Sequence, residues 1–155
     1  GEGMSSRLFA EIRDKLGLAY SIHSYIDHLQ DTGAITVYAG VEPKNLPVAI
    51  KAVTEQLAQL REPIPESELT KAKELSKGRL LLRMEDTRSV TGWMGGQEIL
   101  TGKIITVDET VDIINAITTA QLKEVADELL VGDGMRLAVV GPVDEDSPLD
   151  KLLKV

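Results

Sequence analysis

The sequence contains no cysteine and only two histidines, and these shortages exclude several kinds of chemistry. Without cysteine there is no disulfide framework, no thiol nucleophile and no thiolate zinc site. Neither H-E-x-x-H nor H-x-x-E-H occurs, so the usual zinc-peptidase motifs are absent. His23 and His28 lie an odd number of positions apart in a predicted strand, which would point them to opposite faces. We therefore expect no metal site in this chain.

Basic residues are fewer than acidic ones, with 17 Lys and Arg against 25 Asp and Glu, so the net charge is -8. This balance argues against nucleic acid or an anionic membrane as partner, because both require clustered positive charge. No apolar run approaches the roughly 18 residues of a membrane span, and the first residues do not resemble a signal peptide. We expect a soluble protein of the cytoplasm or the periplasm; these residues do not distinguish the two compartments.

Aromatic residues make up 3% of the chain, with one Phe and one Trp, so aliphatic side chains must fill the interior. A length of 155 residues suits one domain. We assign that domain to residues 1–143 and an acidic tail to residues 144–155. The sequence opens on Gly1 inside what resembles a Gly-rich turn, which indicates a piece of a longer protein.

The first part of the chain predicts a short helix followed by a β-hairpin. Ser5 or Ser6 can cap the helix, and Gly17 can end it. Residues 18–26 and 34–41 favour strands, and the intervening "HLQDTG" has turn chemistry.

The remainder is predicted to be mostly helical, with clear start and stop signals. Asn45 should cap a helix whose apolar side is formed by Ile50, Val53, Leu57 and Leu60. A long helical tract follows Pro63 and Pro65 and should break near Asp86 and Thr87. Later boundaries are marked by Gly102 and by two capping boxes, Thr106 with Glu109 and Thr118 with Gln121.

The apolar run "MRLAVVG" near the end predicts a buried strand. Strands and helices do not alternate regularly, so the fold class is α+β, with helices packed on an antiparallel sheet. Three strands are few, since such sheets usually have about 4 to 6. Either another chain completes the sheet or its first strand lies upstream of Gly1. Because uncovered edges promote association, we expect a homodimer or a swapped strand.

The stretch "EIRDKLGLAYS" contains the two candidate functional residues, Arg13 and Tyr20. A cation near a helix C-terminus is favoured by the helix dipole, which alone would account for Arg13. Tyr20 should share a strand face with Ile22 and Ile26, which would account for it as a core residue. From composition and spacing alone, these structural roles are the better explanation of both.

Five stretches carry a resemblance to a known family: "GMSSRLFAEIRDKLGLAYSIHSY", "DTGAITVYAGVEPKNLPVAI", "SELTKAKELSKGRLLLRMEDT", "GQEILTGKIITVDETVDIINAITTAQLKEVADELL" and "RLAVVGP". They resemble the second, zinc-free half of the pitrilysin/insulinase (inverzincin) metallopeptidases, which include mitochondrial processing peptidase and bacterial zinc peptidases. The likeness covers nearly all of the chain. It implies a processing-peptidase-like α+β half-domain that forms one side of a two-halved clamshell. Family members carry a strand and a helix upstream of the Gly-rich stretch, so we expect the first strand and helix of this half-domain to be missing here.

The resemblance also implies roles for the two candidates. This half of the family carries an Arg and a Tyr seven residues apart, and Arg13 and Tyr20 match them. They would assist hydrolysis of a peptide substrate at zinc held by an N-terminal half or a separate subunit. This chain alone is then expected to be inactive. The alternatives are a non-catalytic structural or core subunit and a peptide-binding scaffold of the same fold.

Overall fold

The structure, a computed structural model, describes residues 2–144 and 147–153. Gly1, Glu145, Asp146, Lys154 and Val155 lie outside the described residues, so part of the predicted acidic tail does too. Strands and α-helices follow in the order β1 Ala19–His28, β2 Gly33–Val41, α1 Leu46–Ala58, α2 Glu66–Arg83, α3 Thr87–Thr101, α4 Val107–Ala116 and α5 Thr119–Leu129. A π-helix, Phe9–Lys15, precedes β1. The α+β class predicted from the sequence is confirmed.

The described residues form two compact units. The first comprises the residues up to His28, Gly33–Glu62 and the described residues from Glu124 onward. The second comprises Leu29–Thr32 and Pro63–Lys123. The domain limits assigned from the sequence, at residues 143 and 144, stay a prediction.

In the first unit, β1 and β2 form the predicted antiparallel hairpin. Its register pairs Ile22 with Ala39 and His28 with Gly33. Gly33 is required by close approach of the two strands, since a Cβ there would lie 2.8 Å from the carbonyl oxygen of Asp27. The glycine therefore allows β2 to begin directly against the end of β1.

The core of the first unit lies on one face of this hairpin. Ile12 of the π-helix is fully buried, with 0% of its surface exposed. It packs in an aliphatic cluster whose other buried members are Leu8, Ala19, Ile22 and Ala52. Ala39 of β2 and Val53 of α1 pack against the same cluster. The hairpin, the π-helix and α1 are thus held together by aliphatic side chains, as the scarcity of aromatics predicted.

Helix α1 differs in detail from its prediction. Asn45 precedes the helix as expected, but its side chain makes no capping hydrogen bond. The residue ends the 3-10 turn Pro43–Asn45 with a helical backbone, φ -95° and ψ -5°, instead of the extended backbone of an N-cap. Ile50 of the predicted apolar side is buried, whereas the other three residues are only half-buried: Val53, Leu57 and Leu60.

The second unit confirms most of the helix boundaries predicted from local signals. α2 ends before a turn at residues 84–86, and the Asp86 carboxylate accepts the N–H of Ser89 to cap α3. Gly102 ends α3 with φ +64°. Helices α2 and α4 are joined where Lys73 and Lys77 donate to the carbonyl and side-chain oxygens of Asn115, at 2.8 and 3.0 Å.

Both predicted capping boxes form. Thr106 accepts the N–H of Glu109 at 3.2 Å, and the Glu109 carboxylate accepts the N–H of Thr106 at 2.7 Å. Thr118 and Gln121 exchange the equivalent bonds at 3.3 and 2.9 Å. Each pair satisfies backbone donors that no helical carbonyl can reach.

The predicted strand in "MRLAVVG" is wrong. Residues 135–140 belong to no strand, and Val140 is fully exposed. A strand requires a neighbouring backbone to accept and donate its hydrogen bonds, and the only sheet among the described residues consists of β1 and β2. The tail includes a short 3-10 helix, Leu149–Leu152, which lies against α1.

No helix built from the described residues is long and apolar enough to cross a membrane.

Candidate functional site

The candidate site begins on a helix of unusual geometry. The N–H of Phe9 donates to Ser6 Oγ at 3.3 Å, so Ser6 caps the helix as predicted. Phe9–Lys15 then forms a π-helix, and the N–H of Leu16 reaches back five residues to the carbonyl of Glu11 at 3.0 Å. π-Helical geometry is rare in proteins and is found frequently at functional sites. Arg13 lies in the last turn of this helix.

Gly17 ends the helix, as the sequence predicted. Its φ of +62° lies in the left-handed region that other residues adopt only at a cost. The N–H of Leu18 donates back to the carbonyl of Ile12 at 2.9 Å, so the chain reverses tightly and enters β1. Arg13 and Tyr20 are thereby held on the two sides of one turn.

Tyr20 lies at a β-bulge. Ala19 pairs with Val41 and Ser21 with Gly40, so Tyr20 is the extra residue of β1 at this point of the register. Because the bulge resets the alternation, Ala19 and Ile22 are both buried although they are three positions apart. The prediction that Tyr20 shares a face with Ile22 is therefore wrong, and 85% of its surface is exposed.

The structure brings the two predicted residues into contact. The guanidinium carbon of Arg13 lies 5.3 Å from the centroid of the Tyr20 ring. It also lies 4.6 Å from the centroid of the Phe9 ring. Both distances are within cation–π range, where each contact contributes roughly 0.5–1 kcal/mol at an exposed site. Arg13 is half-buried and lies beside an exposed phenol.

Sequence reasoning missed Phe9, which contacts Arg13 from four positions earlier on the same helix. That spacing puts two side chains on one helix face and is the signal that could have identified it. Reasoning from a regular strand also missed the bulge, because nothing in the local pattern around Tyr20 marks an extra residue.

A second group of side chains lies on the outer face of the hairpin, opposite the core. The His23 ring centroid is 5.0 Å from that of Tyr38, its cross-strand partner, and 6.0 Å from that of Tyr25. Asp27 follows on the same face of β1, where its carboxylate accepts the Thr36 hydroxyl at 3.4 Å. We call His23, Tyr25, Asp27 and Tyr38 the aromatic face.

Within residues 2–144 and 147–153, no three His, Asp or Glu side chains come together in a group that could hold a metal ion. The residues that the structure describes therefore do not fit a resident zinc ion.

Comparisons with known proteins identify the family that this chain resembles. Residues 1–76 match the family model described as "Peptidase M16 inactive domain". The chain is 38% identical over 143 residues to the "Uncharacterized zinc protease YmxG" of Bacillus subtilis, covering 92% of this chain and 35% of that protein. It is 35% identical over 156 residues to the "Uncharacterized zinc protease ML0855" of Mycobacterium leprae, covering 100% of this chain and 35% of that protein.

Two solved structures have a similar fold. A conserved protein from Enterococcus faecalis superposes with a TM-score of 0.72 at 28% identity, over 82% of this chain and 30% of that one. A chain of "Complex III2 from Candida albicans, Inz-5 bound" superposes with a TM-score of 0.73 over 80% of this chain and 30% of that one. Its identity of 22% supports a likeness of fold alone.

The chain spans about a third of the length of the curated relatives it matches, 35% of each of the two named above. The family model, the relatives named as zinc proteases and the shared fold all agree with the resemblance seen in the sequence. The chain belongs to the M16 peptidase family, as part of its C-terminal, inactive half.

Proposed function

We propose that this chain is the substrate-binding and catalysis-supporting part of a zinc-dependent endopeptidase. Arg13 and Tyr20 would act on a peptide bound at zinc that another domain or subunit holds. The observation that carries the proposal is the contact of the Arg13 guanidinium with the ring of an exposed Tyr20. A permanent cation and a phenolic donor are thus presented together at one surface.

The Tyr20 hydroxyl supplies a hydrogen bond to the reacting carbonyl. Zinc in the other half would activate a water for attack on a peptide bond, and the carbonyl oxygen would then gain negative charge. A donor fixed at that oxygen stabilises the transition state by about 2.7–4 kcal/mol. Tyr20 is 85% exposed, which leaves its side chain accessible to a substrate from outside this chain.

Arg13 positions both Tyr20 and the substrate. Its planar guanidinium lies over the rings of Phe9 and Tyr20, and a cation stacked in this way restrains the phenol. The guanidinium has five N–H donors, and a cation–π contact uses its charge and no particular N–H, so these donors can bind a substrate carbonyl or carboxylate. Because Arg stays protonated at every working pH, this contact persists throughout the reaction.

The zinc is assigned to a different part of the enzyme. Two relatives carry the name zinc protease, and the chain spans 35% of each. The described residues bring together no three-residue group able to hold a metal. We therefore propose a zinc-bearing N-terminal half or subunit as the partner and expect this chain alone to hydrolyse nothing. An extended peptide would pair with a sheet edge of that zinc-bearing half.

The experiment uses the two-half enzyme with Tyr20→Phe or Arg13→Ala. Tyr20→Phe keeps the ring and its contact with Arg13 but removes the hydroxyl, so kcat should fall by about 10²–10³-fold with zinc content unchanged. Arg88→Ala, at an exposed position in α3, is the matched arginine control and should leave turnover within about twofold.

Wild-type turnover in both Tyr20→Phe and Arg13→Ala would refute the assigned roles. If no zinc-bearing partner is found, a structural subunit becomes the better interpretation. Zinc-independent peptide affinity without turnover would instead favour the peptide-binding scaffold.

We also propose that the chain associates with a second copy. Residues 137–140, "LAVV", are exposed and strand-forming but unpaired, and the two-stranded sheet has no third strand among the described residues. Light scattering should report a dimer whose dissociation constant rises at least tenfold in Val140→Lys. A monomer at high concentration would contradict the proposal.

A further inference from the structure

The single phenylalanine of the chain, Phe9, is not a member of the aliphatic core cluster. It is only half-buried, whereas Leu8 and Ile12, on either side of it in the sequence, belong to that cluster and have 6% and 0% of their surface exposed. Aromatic side chains bury large apolar areas and usually dominate a core. The position of Phe9 therefore has a different explanation from core packing.

The ring of Phe9 lies under the guanidinium of Arg13. The guanidinium carbon is 4.6 Å from the centroid of this ring and 5.3 Å from that of Tyr20. Side chains four positions apart share a helix face, so the contact with Phe9 is made within one element. The face of an aromatic ring carries negative charge density and attracts a cation. Phe9 is thus the nearer of the two rings that hold this cation.

The backbone that carries Phe9 is itself restrained at the start of the π-helix. The N–H of Phe9 donates to Ser6 Oγ at 3.3 Å. Leu8 and Ile12 attach the same segment to the core that the hairpin and α1 share. A ring on a restrained backbone can position a neighbouring side chain more closely than a ring on a loop.

Arg13 differs from other arginines of the chain in the contacts that hold it. Within the part of the chain that the structure describes, neither a hydrogen bond nor an ion pair involves its guanidinium. Arg61, by contrast, donates from Nε to the carboxylate of Asp127 at 3.0 Å, and Arg136 donates from Nη1 to two backbone carbonyls at 2.8 and 2.7 Å. A guanidinium held by ring faces keeps its five N–H donors for a ligand, whereas one held by hydrogen bonds has some of them occupied.

We propose that Phe9 is a positioning residue for the peptidase reaction, whose ring holds the Arg13 guanidinium beside Tyr20 without occupying the N–H donors that bind the substrate. The inference rests on the proposed function, because it takes Arg13 and Tyr20 to be the residues that act on the peptide. It adds a residue that acts through Arg13 and makes no contact with the substrate itself.

The experiment measures kcat/KM of the two-half enzyme in Phe9→Leu, in Arg13→Ala and in the double variant. Leucine keeps an apolar side chain but has no ring face, so Phe9→Leu should lower kcat/KM about two- to fivefold, the size of one cation–π contact at an exposed site. Phe9→Tyr restores a ring and should recover most of this loss. Tyr25→Leu is the matched control, because it removes a ring of the aromatic face whose contact is with His23, and it should leave kcat/KM within about twofold.

The double variant separates positioning from a merely structural role. If Phe9 acts through Arg13, Phe9→Leu should have no further effect on kcat/KM once Arg13→Ala is present. A residue that only packs the helix would lower kcat/KM by the same factor in both backgrounds, and that result would overturn the inference. Wild-type kcat/KM in Phe9→Leu, together with a loss in Arg13→Ala, would overturn it as well.

An NMR measurement tests the contact without zinc or turnover. Protons above the face of an aromatic ring resonate upfield, so the side-chain resonances of Arg13 should be displaced upfield in the wild-type chain. Phe9→Leu should remove the larger part of this displacement and Phe9→Tyr should keep it, while the amides of Ile22 and Ala39 should retain the dispersion of a folded hairpin. Undisplaced Arg13 resonances in the wild type would overturn the inference. If the displacement depends on Phe9 but Arg13→Ala keeps wild-type turnover, the proposed function fails, whereas the placement of Arg13 by Phe9 stands.

Discussion

Replacing Ile12 by alanine tests whether the core of the first unit fixes the candidate site. Ile12 has no exposed surface and packs between the hairpin and α1, directly before Arg13. The change removes three carbon atoms from this cluster. It therefore weakens the attachment of the π-helix to β1 without touching the rings of Phe9 or Tyr20.

The expected loss of unfolding free energy in Ile12→Ala follows from the burial of Ile12. Three methyl or methylene groups at about 0.8 kcal/mol each give ~2.4 kcal/mol of lost transfer free energy. The residual cavity adds to this, and buried Ile→Ala changes generally cost about 2–5 kcal/mol, so we expect about 3–4 kcal/mol here. Ile26→Ala is the matched control, because Ile26 lies on the same hairpin with 58% of its surface exposed. About two-fifths of the Ile26 surface is buried, which predicts a loss of only about 1 kcal/mol of unfolding free energy.

Ile22 and Ala39 pair across the hairpin, so the exchange of their amide hydrogens measures the loss of unfolding free energy in the first unit. A loss of 3 kcal/mol corresponds to exchange about 10²-fold faster in Ile12→Ala. Fluorescence of the single tryptophan, Trp93, reports the second unit and provides a separate control. Equal losses in Ile12→Ala and Ile26→Ala, or a loss below about 1 kcal/mol in the first, would refute the reasoning from burial.

Three further changes test local features. Gly33→Ala puts a Cβ 2.8 Å from the backbone of Asp27 and should cost about 1–3 kcal/mol in urea unfolding, whereas Gly40→Ala, with nothing nearer than 3.9 Å, should be neutral; equal effects would contradict the close approach. Thr106→Ala should cost about 0.5–2 kcal/mol by removing one half of a capping box, and an unchanged midpoint would count against that role. Hydrogen bonds from the side chain and the backbone N–H of Ser89 lower the pKa of Asp86. The stabilisation of α3 by the Asp86 carboxylate is therefore present above about pH 4 and is lost as the pH falls through the folded pKa. Asp86→Asn should flatten this part of the pH profile of helicity measured by circular dichroism, and an unaltered profile would exclude Asp86 as its source.

The sequence by itself determined the elements whose causes are local. Gly17 and Gly102 adopt left-handed backbone where a helix must end, and the Thr106 and Thr118 boxes satisfy the donors of their own first turns. These interactions join residues only a few positions apart, so they can be predicted without knowledge of the fold. The family resemblance predicts Arg13 and Tyr20 as candidate residues for the same reason, since it depends on their spacing in the sequence.

Tertiary structure alone decided how those residues are presented. The exposure of Tyr20 depends on an extra residue in the pairing of β1 with β2, and the position of Arg13 depends on two rings that meet it from different elements. The run at residues 135–140 has the composition of a strand but forms none, because backbone hydrogen bonding in a sheet needs a neighbour that local sequence cannot supply. Strand pairing joins positions as far apart as Ala19 and Val41, and the contact of Arg13 with Tyr20 needs the turn between the helix and β1, so both geometries exist only after the chain has folded.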